Sequence, residues 1–101
     1  MRVPTIHMNG TAPEQLLEQL TDAYRAVGAA MRALDEAAPN GRDYYIQGPD
    51  AVQEATSEHR RRAEKLRSVH AELEELVTSV QDQIDVIEEQ RARRRNPRRF
   101  R

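Results

Sequence analysis

Val52, His59, Leu66, Leu73, Val80 and Ile87 recur at every seventh residue, Ala63, His70, Val77 and Ile84 fill the alternate positions, and Val69 and Leu76 widen the stripe. A seven-residue repeat held this long suits an α-helix that lays one face against another helix, whereas a strand would alternate at every second residue. No proline or glycine interrupts it before Asn96-Pro97, so the repeat predicts one helix over 51–95. A partner lies upstream. Leu17, Leu20, Tyr24, Val27, Met31, Leu34 and Ala38 alternate spacings of three and four, which predicts a helix over roughly 12–37.

The ends of both helices are legible as local chemistry. Thr11 and Glu14 have capping-box spacing, and Pro13 is tolerated in a first turn. Pro39-Asn40-Gly41 stops the first helix, with Asn-Gly suited to a positive-φ turn. Gly48-Pro49 forms a second stop, after which Asp50 caps and Gln53 stands at the capping-box position. The expected fold is all-α: an antiparallel two-helix hairpin with a long second helix. Residues 1–10 form an extended segment, 11–95 the helical hairpin domain and 96–101 a basic tail.

Helix lengths then raise a packing question. At 1.5 Å per residue the first helix is about 39 Å long and the second about 67 Å, so the first covers the second only to about residue 77. Val80, Ile84 and Ile87 project beyond, and each forgoes about 1.5–3 kcal/mol if left wet. A second copy is the expected cover, which makes these three an oligomer interface and the assembly a homo-oligomeric bundle. The alternative cover is the segment Arg2 to Asn9, through Val3, Ile6 and Met8.

With 101 residues the chain is one domain, and a core this thin often needs help. Without cysteine it has neither disulfides nor thiolate metal sites, and no apolar run resembles a signal peptide or membrane span, so a cytoplasmic protein without membrane contact is expected. Charge is divided along the chain. Residues 1–90 hold 17 acidic and 9 basic residues, and residues 91–101 hold seven arginines.

Three places carry recognisable chemistry. "IHMNGT" sets His7 and Asn9 just ahead of a helix N-terminus, where free N–H groups and the dipole favour an anion; the plainer reading is a capping turn. "APNGRDYYIQG" gathers Asn40, Arg42, Tyr44, Tyr45 and Gln47, whose flat rings, guanidinium fork and amides suit a nucleobase and its phosphate. The same loop suits a plug closing the hairpin, with one tyrosine packed under the helices and Asp43 paired to Arg42. "RARRRNPRRFR" offers Arg91, Arg93, Arg94, Arg95, Arg98, Arg99 and Arg101 to a polyanion or to solvent.

Elsewhere the plain readings prevail. His59 and His70 are about 16 Å apart along a helix and cannot share a metal, so they read as seam-edge residues, and Arg60, Arg61 and Arg62 as a charged face. No nucleophile elbow, phosphate loop or His-Glu-Xaa-Xaa-His pair occurs, so neither catalysis, a metal nor a cofactor is expected.

The pair "IHMNGT" and "APNGRDYYIQG" resembles a group of small, mostly unassigned proteins of tailed bacteriophages and prophages. The likeness spans roughly residues 5–80 and stops short of the arginine tail; those relatives tend to carry proline where this chain has Ile46. The resemblance implies a phage setting, in which small helical proteins either sequester host molecules, including nucleotide immune signals, or are minor virion components. Two functions are therefore expected. One is an accessory protein holding a phosphate-bearing ligand with the tyrosine loop, His7 and Asn9 being supplied by a neighbouring copy. The other is a virion or DNA-associated structural protein that uses its arginine tail on nucleic acid or an acidic protein surface.

Overall fold

The computed structural model describes residues 1–100, with side chains through Arg98. Among these residues the fold is all-α: α1 spans Pro13–Glu36 and α2 spans Ala51–Arg95, with 3-10 turns at Gly41–Asp43, Tyr45–Gln47 and Pro97–Phe100 and no strand. Two long helices are what a helical hairpin requires. Their bounds fall within a residue of those the apolar spacing predicts.

The caps differ from expectation in instructive ways. Pro13 takes the first helical position, where its missing N–H costs nothing. Ala12 thereby becomes the cap and its carbonyl accepts from Leu16 N–H at 2.9 Å. Thr11 is pushed one residue out, so the Thr11–Glu14 box does not form. At the other break, Asn40 is extended (φ −112°, ψ 134°) and its side-chain oxygen accepts from Arg42 N–H at 3.0 Å, capping the first 3-10 turn. The one positive φ among the described residues belongs to Gly48, at 114°, just before α2, and not to the Asn-Gly pair.

The chain packs as two compact units, one of residues 24–72 and the other of residues 1–23 with the stretch from Leu73 onward. In the first, the Tyr24 ring stacks on His70 with centroids 4.2 Å apart, and Gly28 lies beside the same imidazole. Met31, Leu34 and Asp35 share a cavity of about 100 Å³ with Ala63 and Arg67. Position rises along α1 as it falls along α2, so the segments run antiparallel here. Leu34 beside Ala63 places the end of α1 about 18 Å along α2 from its start at Ala51. The loop takes up that length.

In the second unit lie Val80, with no exposure, and Ile84, 8% exposed, which are the two buried hydrophobic residues among those described. Gln83, between them in the chain, holds the N-terminal segment to α2. Its Nε2 donates to Pro4 O at 2.8 Å and its Oε1 accepts from Ile6 N–H at 2.9 Å, so one amide binds the N-terminal segment along α2. This corrects the expected oligomer interface. Val80 and Ile84 are enclosed by their own chain and have no surface to offer a second copy, and Ile87 is half-buried. The length estimate failed because it set the end of α1 against the start of α2. Within this unit Ala12 and Pro13 share a cleft with Ile87 and Arg91, so the start of α1 reaches further along α2 than that estimate allowed.

Candidate functional site

Polar groups from two separate segments of the chain meet at the start of α1. His7, Gly10, Thr11, Ala12, Ile87 and Arg91 are among the residues lining a cleft of about 400 Å³. The turn before the helix builds one wall. Gly10 N–H donates to His7 O at 3.1 Å, and Asn9 N–H donates to His7 Nδ1 at 3.3 Å. With Nδ1 accepting, a neutral His7 carries its proton on Nε2. The ring lies so close that a Cβ on Gly10 would stand 3.0 Å from Nε2, which makes glycine the residue that leaves room for the imidazole. The other wall is α2, from which Arg91 reaches the cleft one turn beyond Ile87.

The chemistry of this cleft favours an anion. A helix start presents N–H groups without intrahelical partners, and the macrodipole places partial positive charge there. Arg91 contributes a full positive charge, and Thr11 and His7 contribute donors. Glu14 in the first turn of α1 opposes this in part.

The expected ligand residues do not all meet. His7 lines the cleft, while Asn9 contributes its backbone to the turn. Asn40, Arg42, Tyr44, Tyr45 and Gln47 remain together in the loop, in the other unit. Asn40 is engaged within it, taking both the N–H and, at 3.4 Å, the Nε of Arg42. Tyr44 is half-buried, whereas Tyr45 is 75% exposed and Ile46 80% exposed. One tyrosine is therefore tucked in and one stands out. Arg42 pairs with Asn40 and not with Asp43, as the plug reading required, because the 3-10 turn brings residues two apart together.

The tail is more helical than its composition suggests. Arg91, Arg93, Arg94 and Arg95 belong to α2, and Arg93 donates to Glu89 at 2.7 Å one turn back. Arg94, Arg95 and Arg98 are exposed. The Arg99 side chain and Arg101 lie outside the described residues. Arg62 pairs with Glu58 at 3.6 Å on an exposed face, and among the described residues no three metal-ligating side chains converge.

Two residues take places that the sequence reading did not give them. Gln83 stands on the apolar stripe seven residues after Leu76, and a polar residue there was the available signal. Arg91 reads from composition as part of the tail, although a spacing of four from Ile87 puts it near the same helix face. No helix is long and apolar enough to cross a membrane among the described residues. No family model matches the chain, and no curated protein or solved structure matches it either.

Proposed function

We propose that this is a non-enzymatic binding protein of the phage accessory kind that holds a small phosphate-bearing ligand, with a nucleotide signal as the ligand type. The observation that carries this reading is the convergence of His7, Thr11, the start of α1 and Arg91 on one cleft. A phosphate accepts hydrogen bonds at several oxygens and is matched by N–H groups at a helix start together with an arginine fork. The tyrosine loop of a neighbouring copy has the complementary role of a stacking surface, for which the exposed ring of Tyr45 is suited. In this reading the protein acts in the cytoplasm of an infected bacterium by sequestering its ligand.

A second reading, a minor virion or DNA-associated structural protein, is favoured by the exposed Arg94, Arg95 and Arg98 at the end of α2. Calorimetry distinguishes the two. Titration with inorganic phosphate and with mono-, di- and cyclic nucleotides is expected to give binding that His7→Ala with Arg91→Ala abolishes and Tyr45→Ala weakens. Heat from duplex DNA alone would support the structural reading and remove the first.

A further inference from the structure

The N-terminal segment is hydrogen-bonded to α2 through one side chain, and a wall of the cleft continues from that attachment. Pro4 and Ile6 are half-buried while Val3, Thr5, His7 and Met8 are exposed, which is the alternation of an extended chain with one face on a helix. Gln83 meets its edge. The amide accepts from Ile6 N–H and donates to Pro4 O, and among the described residues no other hydrogen bond joins residues 1–10 to α2. Proline at position 4 also restricts the register. Slipping the segment by two residues would bring Arg2 O and Pro4 N to the same amide, and Pro4 has no N–H to give.

What is held at Ile6 decides where His7 stands. Ile6 and Ile87 line both the cleft at the start of α1 and a second groove beside Asp82 and Val86, so the segment is the partition between the two. His7 is the next residue. Its carbonyl and Nδ1 take the N–H groups of Gly10 and Asn9, and its ring stands against Gly10. Those contacts lie within residues 7–10, so they shape the turn without tying it to α2. The turn has α1 as its anchor on one side and Gln83 on the other. Without Gln83, residues 1–7 are a chain end held from one side alone, and such ends are poorly ordered.

We propose that Gln83 is the positioning residue of this cleft: by fixing Pro4 and Ile6 it keeps His7 against Gly10 and across the cleft from Arg91. The effect on affinity rests on the anion reading given above, whereas the placement of His7 stands apart from any ligand. Linkage makes the effect reciprocal. A ligand that touches both His7 and Arg91 binds only the docked segment, so occupancy slows opening at Ile6 by the factor 1 + [L]/Kd, about tenfold at ten times Kd.

Nuclear magnetic resonance on the full chain tests this with two variants. Gln83→Met keeps the side chain's length and removes both hydrogen bonds; Gln83→Glu keeps the acceptor for Ile6 and loses the donor to Pro4. In the free protein the first is expected to abolish the Overhauser contact between the His7 ring and Gly10 and to speed exchange of the Ile6, Asn9 and Gly10 amides about tenfold or more. The second should fall between it and the wild type, and helical circular dichroism should stay unchanged in both. With inorganic phosphate as the probe, exchange at Ile6 of the wild type should slow as phosphate is added. Gln83→Met should lower phosphate affinity about fivefold or more, although position 83 does not line the cleft. A His7 contact and slow Asn9 and Gly10 exchange that survive Gln83→Met while Ile6 is released would overturn the proposal. So would phosphate that binds the wild type without slowing Ile6. A wild type that binds no phosphate removes the anion reading instead, and the His7 contact in the free protein then decides the positioning by itself.

Discussion

Gln83 shows how much one side chain can hold. Its amide ties Pro4 and Ile6 to α2, and the segment so held lies in the unit that contains Val80 and Ile84. Two hydrogen bonds of this kind contribute about 0.5–1.5 kcal/mol each. Gln83→Ala should therefore lower stability by about 1–3 kcal/mol and release the segment, read as faster amide exchange at Ile6. Gln83→Glu should keep the Ile6 contact and lose the one to Pro4. Gly28 points the other way. A Cβ there would meet His70 Nε2 at 3.4 Å, an ordinary contact, while alanine in a helix interior is favoured over glycine by about 0.8–1 kcal/mol. Gly28→Ala is expected to raise the melting temperature. A lower one would mean that the Tyr24–His70 stack needs the space.

The elements are set by their ends as much as by their stripes. Gly48, at φ 114° and ψ 169°, admits the chain to α2 in a conformation that residues with a Cβ avoid. Gly48→Ala should cost about 1–3 kcal/mol in thermal or chemical unfolding. Gly41→Ala should cost little, since Gly41 has neither a positive φ nor a neighbour within 4 Å of an added Cβ. The helix boundaries were legible because proline, glycine and apolar spacing act over a few residues. The Thr11–Glu14 box misled for an equally local reason: Pro13 claims the first helical position, and one residue of displacement disables the cap.

For the molecule as a whole, the division of charge separates the possible activities. Arg91 lines the cleft, so cutting the chain before it would remove part of both candidate sites. A chain ending at Ala92 keeps Arg91 and loses the other six arginines. It is expected to retain phosphate or nucleotide binding within a few-fold and to lose binding to duplex DNA. If those six arginines contact DNA in the full chain, log K should fall against log salt with a slope of about −5, whereas a single-phosphate cleft gives a much shallower one. DNA binding retained by the shortened chain would assign that activity to another surface.

The sequence by itself determined two helices, their lengths, the break between them and the concentration of arginine at one end. Each follows from neighbours within a turn or two, where apolar period, proline and glycine leave few choices. The tertiary structure decided that Val80 and Ile84 are buried within their own chain and that the start of α1 shares a cleft with Ile87 and Arg91. It also brought Gln83 to backbone groups 77 and 79 positions away and placed Arg91 beside His7. Each of those pairings joins segments far apart in the chain, and the apolar spacing along either helix is the same whichever residues meet across them.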